Sequence, residues 1–236
     1  QDFQQTSSIS IKLSALHPRY EESQRHRVMT ELYRTVLELI REARHAKVAM
    51  TIDAEEMDRL ELYLDLFEKL YQSKEVKNWG ELGVVIQAYS KRALPILLWL
   101  AALAREQGDT IPVRLVKGAY WDSEIKQTQQ LGLQDYPVFT SKDATDVSYL
   151  VCAKFLMSEA CCFLYPQFAT HNAHTVAAIH ELAKTEGIAF DGYEFQRLHG
   201  MGEALYSVVR LQHPEINVRI YAPIGAHADL LPYLVR

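Results

Sequence analysis

The chain of 236 residues, 48% apolar and 23% charged, is long enough to bury one substantial core. A formal net charge of −5 offers no basic face, so binding of nucleic acid through this chain is not expected. No apolar run reaches the length of a membrane-crossing helix, and no signal-peptide pattern is present.

The opening QDFQQTSSISIKL lacks an initiator Met and enters a strand-like run almost at once, the pattern expected of a piece of a longer protein. Short apolar runs predict strands over 8–13, 47–53, 82–88, 112–118, 161–170, 193–196 and 217–223. Amphipathic helices alternate with them. Val28, Leu32, Val36, Leu39 and Ala43 share a face of the first, and Leu60, Leu64 and Phe67 share one of the second. A very apolar helix runs from 92 to 107 with Pro95 in its first turn. Asp143 or Asp146 is a candidate cap for the helix carrying Val147, Leu150, Val151 and Phe155. Helices over 176–184 and 203–211 stop at Gly187 and before Pro214, and a last one begins near His227 and runs to Arg236. Cys152, Cys161 and Cys162 are odd in number and lack zinc-type spacing, so they read as reduced thiols of a cytosolic protein, with Cys152 in a helix core. With no low-complexity segment or linker, residues 1–236 form one domain.

Seven βα repeats admit a barrel or a doubly wound open sheet. The strand ends discriminate. Lys12, Asp53, Gln87, Arg114 with Lys117, Thr170 to Asn172, Gln196 and Tyr221 place a polar group at the C-terminal end of nearly every strand. A barrel gathers those ends at one mouth, and no Gly-rich phosphate loop follows the first strand. The expected fold is an α/β, (βα)8 barrel whose eighth strand lies beyond this chain.

In VRLVKGAYW, alternation puts Arg114, Val116 and Gly118 on one strand face and Val113, Leu115 and Lys117 on the other. A cation, a glycine and the rings of Tyr120 and Trp121 at one strand end suit a flat ligand with an anionic tail. The plainer alternative is an internal ion pair of Arg114 with Asp53 or Glu194. TIDAEE ends strand two with Asp53 facing the mouth, whereas Glu55 and Glu56 read as first-turn helix acids. In ATHNAH, His171 and His174 can share a metal with Asp53, or Thr170, His171 and Asn172 can hydrogen-bond a cofactor, and the residues leave both open. EFQRLHGMGE reads as an ordinary tight βα loop and SALHPRYE as a loop packed through Pro18 and Tyr20, while the lysines of YSKR and SKD stand beside helix starts, where they suit a phosphate or are plain solvated surface groups.

Taken in order, SIKLSALHPRYE, TIDAEE, VVIQAYSKR, VRLVKGAYWDSEIK, YPQFATHNAHTV, EFQRLHGMGE and RIYAPIGAHADLLPYLVR resemble the proline dehydrogenase domain of the bacterial bifunctional proline utilisation flavoprotein. The resemblance covers nearly the whole chain. It implies a distorted (βα)8 barrel that binds FAD without a covalent link and oxidises L-proline to Δ1-pyrroline-5-carboxylate, the first step of proline catabolism. Arg114, Val116, Lys117, Gly118, Tyr120 and Trp121 would contact FAD, with Arg114 near flavin N5. Gln87, Thr140, Lys142, Thr170, His171, Asn172 and Gln196 would complete the flavin site. Lys12 and Arg236 would hold the proline carboxylate, Tyr120, Leu198 and Tyr221 would enclose its ring, and Asp53 would organise the pocket. Membrane quinone would take the electrons, and an aldehyde dehydrogenase domain would share the parent polypeptide. The location implied is the cytoplasm, with peripheral contact to the inner membrane.

One departure stands out: the family pattern continues past YLVR with a second Arg, a helix and a strand, whereas this chain stops at Arg236. Two rival readings accompany the assignment. One is a metal-dependent barrel lyase or hydrolase using Asp53, His171 and His174; the other is an inactive truncated barrel.

Overall fold

The computed structural model describes residues 7–158 and 162–225. Seven strands form one parallel sheet in sequence order: β1 (Ser8–Ile11), β2 (Ala49–Ile52), β3 (Leu82–Gln87), β4 (Ile111–Val116), β5 (Leu164–Ala169), β6 (Glu194–Leu198) and β7 (Asn217–Tyr221). The main helices between them are α1 (Tyr33–Ala46), α2 (Leu60–Tyr71), α3 (Ala93–Gln107), α4 (Trp121–Gln130), α5 (Lys142–Leu156), α6 (Ala173–Thr185) and α7 (Glu203–Gln212). All seven expected strands are present. The last helix near His227, Arg236 and the expected eighth strand lie outside the described residues.

Alternation along the strands builds two unlike faces. Met50 and Ile52, Val84 and Ile86, Val113 and Leu115, Phe168, Phe195 and Val218 enter one continuous apolar core with the helices. The intervening positions include the polar residues Ser10, Thr51, Asp53, Gln87, Arg114, Gln167, Glu194, Gln196 and Arg219. From β4, the single side chain of Arg114 reaches Ser10 on β1, Asp53 just past β2 and Gln196 on β6. A flat sheet would hold those strands too far apart, so the sheet curls into a distorted barrel of the (βα)8 type with its polar face inside. Arg219 on β7 donates to Ser8 of β1 at 3.4 Å, linking the two sheet edges.

Three local expectations need correcting. α5 is capped by Ser141, whose hydroxyl accepts from Ala144 N–H at 3.2 Å, and neither Asp143 nor Asp146 caps it. The second of these acids is held by lysines, as described below. Residues Val28–Leu32, expected in a regular helix, form a π-helical turn before α1. The helix α4 was not foreseen: WDSEIKQTQQ has no apolar stripe, and its formation rests on good helix formers with Asp122 and Glu124 in the first turn.

Between β2 and β3 the ladder stops at the Ile52–Val84 pair. One residue on, the hydroxyl of buried Tyr63 in α2 accepts from Val85 N–H at 3.0 Å and donates to Ile52 carbonyl at 2.9 Å. A side chain thus replaces the next rung, so the strands can part where Asp53 and Gln87 leave the sheet. Burial, the largest influence, raises the Tyr63 pKa well above the ordinary phenol value and keeps it a neutral donor and acceptor. Tyr63→Phe would strand a buried amide. Its expected cost is about 1–3 kcal/mol, measured as a lower urea midpoint with an unchanged slope.

Candidate active site

The inner strand ends converge on Arg114, which is only 6% exposed. Its Nη1 donates to Asp53 Oδ1 at 2.7 Å, its Nη2 to Ser10 Oγ at 2.9 Å and its Nε to Gln196 Oε1 at 2.6 Å. The Tyr221 ring lies 5.2 Å from the guanidinium carbon, within cation–π range. The Tyr221 hydroxyl donates to the second Asp53 oxygen at 3.1 Å, and Lys12 Nζ stands 3.7 Å from that same oxygen. The internal ion pair that competed with the ligand-lining reading therefore exists, and Asp53 is the partner. Asp53 faces two cations, so the cluster carries a net positive charge. Lys12 is the loosest member, with 40% of its side chain exposed. It is placed to meet an incoming anion.

One layer deeper, Glu194 has no exposed surface. Its carboxylate receives Arg219 through both oxygens at 2.8 and 3.0 Å, Asn217 at 2.8 Å and the Gln196 amide at 2.6 Å. Burial works to lower the Arg219 pKa, but the hydrogen bond and charge of Glu194 outweigh it and raise it. The two layers join through Gln196.

The second cation of strand four faces the opposite way, as alternation requires. Lys117 pairs with Asp146 on α5, and Lys142 reaches the other Asp146 oxygen at 2.5 Å. These hydrogen bonds, Lys117 first and Lys142 second, hold the Asp146 carboxyl below the usual range. Two ammonium groups share one carboxylate at the rim of a cleft of ≈ 340 Å³ lined also by Tyr89, Gly118, Trp121 and Thr140. The N-terminus of α5, with its positive dipole end, opens on the same rim. Gly118 has φ +145°, and a Cβ there would sit 2.4 Å from the Tyr89 ring. Only glycine fits.

The loops after β5 and β6 are tied together. Asn172 Oδ1 caps α6 by accepting from Thr175 N–H at 3.0 Å, and Thr170 Oγ1 accepts from Asn172 N–H at 3.2 Å. His171 Nε2 accepts from Leu198 N–H at 3.0 Å, which fixes the neutral tautomer protonated on Nδ1. Gln87 spans two loops, donating to Glu55 carbonyl at 2.9 Å and accepting from Ala119 N–H at 3.1 Å.

The structure thus gathers Lys12, Asp53, Arg114, Gln196 and Tyr221 in one cluster and Lys117, Gly118, Trp121, Thr140 and Lys142 around one cleft. Val116 and Tyr120 lie half-buried on the segment between them. His171 and Leu198 form a third group with Thr170 and Asn172. Arg236 falls outside the described residues. Sequence reasoning missed Ser10, Tyr89 and Asp146 as members. Ser10 was legible as the inner neighbour of Lys12 two residues on; Tyr89 and Asp146 join only through tertiary packing.

Burial, aided by the charge of Arg197, holds His171 below the ordinary imidazole value of 6.5. A folded-state pKa below the unfolded one means stability that is full above 6.5 and lost as pH falls through the lower folded value. Protonation removes the acceptor for Leu198 N–H. The protection factor of that amide in hydrogen exchange should therefore fall on acidification, and His171→Gln should abolish the pH dependence.

The sequence profile of the proline dehydrogenase family matches residues 1–236. Over 233 residues the chain is 54% identical to the bifunctional protein PutA of Salmonella typhimurium, an alignment covering 97% of this chain and 17% of that protein. It is 28% identical over 236 residues to proline dehydrogenase 2 of Bacillus subtilis, spanning 66% of that sequence. A crystal structure of a proline utilization A point mutant from Bradyrhizobium japonicum superposes with a TM-score of 0.91 at 51% identity, covering 97% of this chain and 23% of that one. Proline utilization A of Bdellovibrio bacteriovorus, inactivated by N-propargylglycine, superposes at 0.90 with 33% identity. The chain spans under a quarter of these bifunctional proteins. By profile, sequence and fold together, it belongs to the proline dehydrogenase family.

Proposed function

We propose that this domain oxidises L-proline to Δ1-pyrroline-5-carboxylate with FAD as its cofactor. The observation that carries the reading is the net positive cluster of Lys12, Arg114 and Asp53 at the barrel mouth beside a cleft with its own cationic rim. The first suits an amino-acid carboxylate and the second an anionic, flat-ringed cofactor. The lining fits FAD: Gly118 lets the Tyr89 ring pack against the strand end and form one wall, Trp121 supplies a ring at the rim, and Lys117, Lys142 and the start of α5 supply positive charge for a pyrophosphate. Val116, Tyr120, Thr140, Thr170, His171, Asn172, Gln87 and Gln196 would complete that site. Bound there, FAD would supply the acceptor for the hydride that leaves proline C5.

The protein groups then have separate tasks. Lys12 and Arg236 would clamp the proline carboxylate, with Lys12 exchanging its loose contact to Asp53 for a charge-assisted bond to substrate. Tyr120, Leu198 and Tyr221 would enclose the ring and exclude water. Asp53, through Arg114 and the Tyr221 hydroxyl, would hold the pocket walls in register. Arg114 would place a fixed positive charge where negative charge accumulates on reduction. The amine proton would pass to solvent. A membrane quinone as final acceptor, an aldehyde dehydrogenase domain on the parent polypeptide and peripheral attachment to the inner membrane complete the proposal. No helix among the described residues is long and apolar enough to cross a membrane.

The metal-dependent alternative meets an obstacle. His171 Nε2 is spent on Leu198 N–H, and no group of three potential ligands among the described residues could hold a metal ion.

The test is to load the purified chain with FAD and add proline without oxygen. Loss of the visible flavin absorbance is expected; bound flavin that proline leaves unbleached would defeat the assignment and favour an inactive truncated barrel. Arg236→Met should weaken proline binding by at least about tenfold, the scale of one lost charged hydrogen bond, and leave FAD affinity unchanged in the same titrations. Lys142→Ala should do the reverse.

A further inference from the structure

We propose that Glu194 is a positioning residue for this site: it sets the Gln196 amide and, through it, the guanidinium of Arg114. A glutamine amide has two orientations nearly equal in shape. Here both of its neighbours decide. The ionised carboxylate of Glu194 can only accept, so it draws the Gln196 Nε2 donor to 2.6 Å. Arg114 Nε–H can only donate, and at 2.6 Å it meets the remaining Gln196 Oε1. The relay has a single consistent polarity, from carboxylate through amide to guanidinium. Its far end is anchored, because Glu194 is wholly buried and held by Arg219 and Asn217 on β7.

The consequence lies two strands away from Glu194. Arg114 is fixed at three points, with Asp53 and Ser10 holding its two Nη atoms and Gln196 holding its Nε. With the amide free to turn, Nε–H would face an NH₂ group for part of the time, and the guanidinium would swing about its contacts with Asp53. The geometry needs no ligand; the effect on proline oxidation rests on the proposed function.

The experiment follows the Arg114 Nε–H resonance in ¹⁵N–¹H spectra of the full chain, assigned by its loss in Arg114→Met. Glu194→Asp keeps the charge beside Arg219 and Asn217 but withdraws the carboxylate from Gln196. Solvent exchange of Arg114 Nε–H should quicken by about tenfold or more. In a Gln196→Ala background the same substitution should add nothing. Unchanged exchange, or equal acceleration in both backgrounds, would overturn the proposal. Should Glu194→Asp fail to fold, Gln196→Ala alone is compared with the unsubstituted chain: quickened Arg114 Nε–H exchange is expected, and unchanged exchange would overturn the proposal. In the FAD-loaded protein, Glu194→Asp should lower kcat for proline roughly fivefold with KM within about twofold, since Lys12 and Arg236 are untouched. Absence of FAD binding or turnover in the unsubstituted chain would count against the proposed function and leave the exchange comparison standing.

Discussion

The buried pair of Arg114 and Asp53 is the constraint around which the barrel mouth is arranged. A guanidinium taken out of water costs several kcal/mol unless its donors are met, and here three donor atoms find Ser10 on β1, Asp53 just past β2 and Gln196 on β6. The pair is an expensive way to fill a core, since well-packed apolar side chains of the same volume are often as stable or more so. In most barrels of this type, branched apolar residues fill the interior in layers. Here Arg114, Asp53, Gln196, Glu194 and Arg219 form a polar network across the interior. Such an interior makes sense when the charges also have work at the mouth.

That interior determines what the outer surface of the strands can do. Because successive side chains alternate, Arg114 belongs to the inner network while Lys117, three residues on, belongs to α5 and the cleft. One short stretch thus serves two sites of positive potential, separated by the thickness of the sheet end. Tyr63 supports the arrangement by closing the β2–β3 ladder early, and Gln87 supports it by binding the backbone of both neighbouring loops. The polar residues most deeply placed are therefore those that hold the mouth open in a defined shape.

Much of this was legible in the sequence. The seven strands followed from short apolar runs, and the barrel from polar residues recurring at their C-terminal ends. The opposed directions of Arg114 and Lys117 followed from period-two alternation alone. The partners did not. Asp53 and Glu194 were both candidates for Arg114, and only the curvature of the sheet places Asp53 at direct contact and Glu194 one amide removed. Asp146 read as a helix cap because local pattern cannot sense a lysine 29 residues away. Helix α4 escaped because its stability comes from propensity and first-turn acids and carries no apolar stripe. What the strand pattern cannot contain is the identity of a ligand; the proposed FAD rests on the family resemblance.

The claim at the centre of this account is that Arg114 and Asp53 act as one unit, and a double-mutant cycle in urea unfolding tests it most directly. Asp53→Asn and Arg114→Met should each destabilise strongly, of order 3–5 kcal/mol when one partner of a buried pair is removed. The double variant should lose well under the sum, with a coupling of about 1.5 kcal/mol or more. Additive losses would mean that the two side chains contribute independently and that the mouth is not organised around their contact.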